Sequence, residues 1–239
     1  MVVHKILLYK IRIMKKIVVL SGAGVSAESG IKTFRDSNGL WEEYKVEDVA
    51  SIEGWYRNKE LVLDFYNQRR RALKDAQPND AHKIIAQLEE RYKVTVVTQN
   101  VDNLHERAGS TNVIHLHGEL TKARSTKNEE KWYDIGYNDI HLGDKAPDGG
   151  QMRPFIVWFG ESVPKLSDAA KEVQTAEILI IIGTSLNVYP AAGLIHYTRP
   201  GCKIYLVDPQ PMPLRMENFT QIQEKATVGM EKIKEELFK

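Results

Sequence analysis

The chain is expected to fold as an α/β protein, a doubly wound parallel sheet carrying a small inserted lobe. Three observations predict this. Short apolar runs rich in β-branched residues read as strands buried on both faces. Helical patterns fall between many of them, which implies crossover connections and an open sheet. One polar stretch, Thr121 to Arg153, follows neither period, and a structureless loop of about thirty residues would be unusual in a compact domain.

The strand-like runs are Ile17 to Ser21, Val94 to Thr98, Val113 to Leu116, Phe155 to Phe159, Ile178 to Gly183 and Ile204 to Asp208. Glu60 to Ala76 has apolar residues at helical spacing. Ala81 to Tyr92 follows the capping pair Asn79-Asp80, and Lys165 to Thr175 follows Pro164. Gly229 to Phe238 reads as a closing amphipathic helix, while Pro209 to Thr220 shows no clear pattern. Residues 1–13 are expected to be an N-terminal extension without order. The main domain then covers 14–239, with a helical insertion near 36–78 and the small lobe near 121–153.

Composition narrows the classes. With 33 basic and 32 acidic residues among 239, the net charge of +1 offers no basic field for nucleic acid. No apolar stretch is long enough for a secretory leader's core or a membrane span. The single cysteine, Cys202, excludes an internal disulfide framework and suits a reducing compartment. A cytoplasmic monomer, with no nucleic-acid or membrane partner, is expected.

The first strand runs into Ser21-Gly22-Ala23-Gly24-Val25-Ser26-Ala27, the G-x-G-x-x-A form of a Rossmann-like dinucleotide fingerprint. Glycines there allow a tight turn and close approach to a pyrophosphate, and a following helix would offer N–H groups and its positive dipole end. The sequel departs from a dehydrogenase. The next good strand, from Val94, comes some seventy residues on instead of within about thirty. A simple hydride-transfer domain is therefore disfavoured.

The longer string from Gly22 through Glu28, Gly30, Phe34 and Arg35 strongly resembles the first NAD-binding motif of sirtuins, the NAD-dependent protein deacylases. Thr98-Gln99-Asn100-Val101-Asp102 looks like their TQNxD motif, and His115-Leu116-His117-Gly118 like their catalytic HG element. Trp158-Phe159-Gly160-Glu161 resembles the substrate strand. Gly183-Thr184-Ser185 with Val188-Tyr189-Pro190 resembles the second NAD block. The likeness spans roughly residues 16–239.

The resemblance implies roles. NAD would be a consumed co-substrate, and acyl-lysine proteins or peptides the partners. Gly22, Ala23, Gly24, Ala27, Gly183, Thr184 and Ser185 would hold the nucleotide. Phe34 would shield the reacting ribose carbon, Arg35 would order the loop, and Gln99 would contact the ribose. Asn100 and Asp102 would line the nicotinamide pocket. His117, directly before the glycine, would be the general base, with His115 structural. Asp208 would face the adenosine ribose and Val228 the adenine. Val157, Phe159, Gly160, Glu161 and Val188 would bind the peptide as an added strand.

Tyr66 and Arg69, at i and i+3 on the helix from Glu60, share a face. This Y-x-x-R spacing resembles the pair marking sirtuins that act on succinyl-, malonyl- or glutaryl-lysine. A guanidinium grips a carboxylate bidentately, and a phenol adds a donor. Arg70 and Arg71 read instead as a solvated basic surface.

Sirtuins usually carry a structural zinc on four cysteines in the small lobe, yet Thr121 to Arg153 contains none. No zinc is expected, and Trp132, Tyr133, Ile135, Tyr137 and Ile140 are expected to form an apolar substitute. Two other readings share the pocket: a protein ADP-ribosyltransferase and a non-catalytic NAD or ADP-ribose sensor. Intact His117, Asn100 and Asp102 argue against the sensor, and the Tyr66–Arg69 pair against the transferase.

Overall fold

The computed structural model describes residues 14–32, 40–41, 44–212 and 216–239. The expected extension 1–13, together with Phe34, Arg35 and the start of the helical insertion, lies outside the described residues.

Its elements run β1 (Lys16–Ser21), β2 (Leu40–Trp41), β3 (Tyr44–Lys45), α1 (Val46–Val49), α2 (Ile52–Arg57), α3 (Lys59–Asp75) and α4 (Asp80–Gln87). Next come β4 (Lys93–Thr98), α5 (Leu104–Arg107), β5 (Val113–His115), β6 (Gly118–Ser125), β7 (Trp132–Asp134) and β8 (Met152–Ile156). The chain ends with α6 (Leu166–Gln174), β9 (Ile178–Ile182), β10 (Lys203–Val207), β11 (Phe219–Ile222) and α7 (Ala226–Leu237).

The main sheet has the order β11-β10-β9-β1-β4-β5 and is parallel throughout. Its alternation explains the apolar runs. Ile17 and Val19 pack to one face with Ile84 and Ile85 of α4 and Met230 and Ile233 of α7. Val18 and Leu20 point the other way, onto Ala169 and Val173 of α6 and onto Leu194 and Ile195. Burying each such aliphatic side chain stabilises by about 1.5–3 kcal/mol.

Three expectations are corrected. The run from Phe155 is not a strand of the parallel sheet. It contributes to β8, which pairs antiparallel with β6 in a separate sheet ordered β7-β6-β8. A short apolar run looks the same in either setting, since its period does not encode its partner. Within the segment Pro209 to Thr220, β11 begins at Phe219 and adds a parallel edge strand on β10. The helix from Ala81 also stops short of Tyr92, loosening to a 3₁₀ turn at Leu88–Glu90.

Helix α3 packs against β6 and β8 of the small-lobe sheet. Asn58 caps it, its Oδ1 accepting from Leu61 N at 3.0 Å. Arg70, expected at the surface, is fully buried. Its Nε donates to Leu120 O at 2.8 Å, and its Nη1 to Asn67 Oδ1 at 2.8 Å. Asn67 in turn exchanges two 2.9 Å hydrogen bonds with the Ile140 backbone. These polar residues face inward because the lobe's own backbone satisfies them, which helical periodicity cannot reveal. Arg71 is exposed and pairs with Asp139 at 2.6 Å.

Candidate active site

At the carboxyl end of the main sheet, the turns after β1 and β9 interlock backbone to backbone. Gly22 N donates to Ile182 O at 3.0 Å, and Gly24 N to Gly183 O at 2.9 Å. A Cβ on Gly24 would lie 2.7 Å from Gly183 Cα, and one on Gly183 would lie 2.2 Å from Val25 N. Gly183 also has φ +64°, the left-handed region that favours glycine. The helix expected after the fingerprint is replaced by two single 3₁₀ turns, Ala23–Val25 and Ala27–Ser29. The N-terminal turn of α7 reaches this segment: Thr227 donates to Glu28 through N and Oγ1, both at 3.1 Å. That contact carries half-exposed Val228 toward the fingerprint.

Gln99 connects the two motifs, its Nε2 donating to Thr184 Oγ1 at 3.1 Å. Asn100 and Asp102 are buried beside Ser26. Ser26 Oγ accepts from Asn100 Nδ2 at 3.2 Å and donates to Asp102 Oδ2 at 3.0 Å. Among the described residues Asn100 Oδ1 accepts nothing, which suits the N–H₂ of a carboxamide ligand. Burial raises Asp102 above the usual carboxylate range, against the opposing bonds from Leu104 N and Ser26. Behind Ser26 lies His82, with its Nε2 at 3.4 Å, and beside His82 lies His105, which meets Ser21 Oγ at 2.9 Å. Burial lowers both imidazoles, His82 to about 4. Sequence reasoning passed over Ser26, His82 and His105. Only the position of Ser26 inside the fingerprint could have flagged it.

The two histidines of the HG element are separated by their partners. His117 Nδ1 lies 3.0 Å from Gln99 O. A carbonyl only accepts, so Nδ1 carries the proton and Nε2 holds the lone pair. Burial lowers His117 below its ordinary value, with the Gln99 bond opposing, so the ring is a neutral base near pH 7. His115 differs: Nδ1 faces Asn100 O at 3.0 Å and Nε2 faces Glu106 Oε1 at 2.7 Å. Burial alone would lower it, but the bond and charge of Glu106 raise it. Both its nitrogens are engaged by neighbouring oxygens, so neither is open to a ligand.

On the other flank, Val157 N donates to His117 O at 3.0 Å, setting the segment from Val157 to Glu161 against His117. Phe159 commits both backbone groups elsewhere, donating to Ala50 O and accepting from Ile52 N. These bonds join one edge of the segment to the chain beside Ser51. The exposed Phe159 ring, Gly160 at φ +90° and half-buried Val188 flank this segment and the β9 loop. Glu161 turns inward. Its Oε1 accepts from Arg153 Nη1 at 2.8 Å and Arg124 Nη2 at 3.0 Å, and its Oε2 from Arg153 Nη2 at 3.0 Å and Trp158 N at 2.8 Å.

Tyr66 and Arg69 are both buried on α3. Tyr66 Oη accepts from Trp158 Nε1 at 2.9 Å, and the Arg69 guanidinium carbon lies 5.6 Å from the Phe65 ring centre. Burial pushes the Tyr66 phenol up to about 12, so it remains a neutral donor. Asp208, buried at the end of β10, accepts from Gln210 N at 2.9 Å.

The residues of the small lobe do not fit a zinc ion. Among the described residues no three His, Cys, Asp or Glu converge as ligands. The expected aromatic substitute forms only in part. Ile140 is buried, with Ile135 and Tyr137 against it, but Trp132 is half exposed beneath the Lys122 ammonium. The Arg124–Glu161–Arg153 cluster provides the ionic centre. No described helix is long and apolar enough to cross a membrane.

Fold and site together define an α/β protein of the dinucleotide-binding kind, with the neutral imidazole of His117 at the sheet's carboxyl end. Residues 22–190 match the Sir2 family. A curated NAD-dependent protein deacylase of Bacteroides thetaiotaomicron is 52% identical over 228 residues, spanning 93% of this chain and 97% of that protein. Another, of Helicobacter pylori, is 53% identical over 219 residues, spanning 91% and 95%. A solved Sir2 homolog–NAD complex superposes with a TM-score of 0.84 at 39% identity, covering 94% of this chain and 90% of that one. The chain belongs to the Sir2 family, the sirtuins.

Proposed function

We propose that this chain is an NAD-dependent protein-lysine deacylase that favours succinyl and malonyl groups and also accepts acetyl. The observation carrying the deacylase reading is the tautomer of His117, whose Nδ1–H is held by Gln99 O while Nε2 is left as a base. The matched relatives bear the same activity in their names, and a solved neighbour binds NAD. When bound, NAD would supply the ribose carbon that the acyl oxygen attacks as nicotinamide leaves and the ribose hydroxyl that takes up the acyl group, one water being consumed to free the lysine amine. Around it, the glycine turns admit the pyrophosphate, and Asn100 and Asp102 orient the nicotinamide carboxamide. His117 takes a ribose hydroxyl proton, help worth about 10²- to 10⁴-fold. The products are nicotinamide, deacylated lysine and O-acyl-ADP-ribose.

The acidic-acyl preference is supported by Tyr66 and Arg69 lying buried on one helix face, a neutral donor beside a cation. The lobe is taken to hold together without zinc, for which stoichiometric zinc in the purified protein would be the contrary finding. One assay tests the main reading: NAD with a succinyl-lysine peptide, following nicotinamide and peptide mass. Peptide-dependent nicotinamide release with loss of the succinyl mass is expected. An ADP-ribose mass gained by the peptide would indicate a transferase instead.

A further inference from the structure

We infer that Trp158 is a positioning residue for acyl selectivity, aiming the Tyr66 hydroxyl at the acyl chain; this rests on the acidic-acyl reading above. An indole nitrogen can only donate, so the 2.9 Å contact makes Tyr66 Oη the acceptor. The phenol's single hydrogen must then point elsewhere, and among the described residues it is donated to none. One helical turn on is Arg69. The hydrogen and the guanidinium thus form a two-part donor set for a carboxylate, with its direction set from behind by Trp158.

Trp158 is itself held from three sides. The Arg153 guanidinium lies 3.6 Å from its ring centre. Its backbone N–H donates to Glu161 Oε2, whose carboxylate grips Arg153 bidentately. The Trp55 ring packs 5.4 Å away, centre to centre. Each contact removes a rotamer, so the indole N–H has one direction. The ion cluster of the lobe is therefore linked through Trp158 to the acyl anchor on α3.

The experiment compares wild type, Trp158→Phe, Tyr66→Phe and the double variant, with kcat and KM measured on succinyl- and acetyl-lysine peptides of one sequence. Losing one oriented neutral hydrogen bond should lower the succinyl-to-acetyl ratio of kcat/KM by about five- to tenfold, mainly through the succinyl KM. In the Tyr66→Phe background, Trp158→Phe should change that ratio less than about twofold, because the hydroxyl it orients is gone. Independently of any Trp158 variant's folding, the Trp158 indole N–H resonance in wild type should shift with succinyl peptide, more than with acetyl peptide. That difference should vanish in Tyr66→Phe. An unchanged ratio in Trp158→Phe, additive losses, or an equal resonance response to both peptides would overturn the inference alone. A wild type without preference for succinyl peptide would overturn the acidic-acyl reading and this inference with it.

Discussion

The two flanks of the site are built by opposite means. On the nucleotide flank, Gly22, Gly24 and Gly183 bring backbone within a distance where an added Cβ would collide. On the flank proposed to hold the acyl chain, large side chains fill the space: Trp55, Trp158, Tyr66, Arg69, Arg124 and Arg153, with Glu161 at the ionic centre. The first flank cannot tolerate atoms added, and the second cannot tolerate atoms removed. A shared binding geometry can therefore persist on one side while selectivity is tuned on the other. His117 sits where they meet, bonded to Gln99 on one side and to Val157 on the other.

The sharpest way to break this picture is at that junction. His117→Ala should lower turnover by about 10²- to 10⁴-fold while leaving NAD affinity within a few-fold, measured by calorimetry beside steady-state rates. Because burial lowers His117, the acid-side midpoint of the wild-type kcat/KM profile should fall below that of an ordinary histidine. Next comes the ionic centre. Glu161→Ala would leave buried Arg153 and Arg124 without their shared carboxylate, at a cost of about 3–5 kcal/mol. Urea denaturation reads this directly. A loss below about 1 kcal/mol, the value of a surface pair, would mean that the lobe is held by other contacts.

The same contrast explains what the sequence made legible. The nucleotide flank is written in consecutive motifs, because a strand, a glycine turn and its neighbours are local in the chain. Ile17 to Ser21 and Ile178 to Gly183 were readable as strands for the same reason. The acyl flank is assembled from distant segments. Arg124 and Arg153 look like surface charges until Glu161 is placed between them, and Arg70 does so until Leu120 O is. The apolar run at Phe155 announced a strand but not its sheet. Ser26, a small residue inside a glycine motif, gave little sign that Asn100 and Asp102 would converge on it.

Behind the nucleotide flank, His82 gives a pH signature. Its folded value is about 4 against 6.5 unfolded, so between these the unfolded chain binds a proton that the folded chain refuses. Stability is unaffected above pH 6.5 and is lost as pH falls toward 4, by on the order of 3 kcal/mol. His82→Asn removes this titration. The stability of wild type relative to His82→Asn should therefore drop by that amount between pH 7 and pH 4. A difference independent of pH would show that His82 is not held neutral.

The gentlest test is Arg69→Met, which keeps the stem's length and its packing on Phe65 while removing the cation. A charge-assisted hydrogen bond is worth about 1.5–3 kcal/mol, so the succinyl-to-acetyl ratio of kcat/KM should fall by tens- to hundreds-fold. Arg69→Lys should fall between, since an ammonium restores charge without the bidentate fork. The order wild type, Lys, Met would identify the guanidinium as the acid-acyl anchor. Equal losses on both substrates would make it a packing residue, and the acyl flank would then be selective by shape alone.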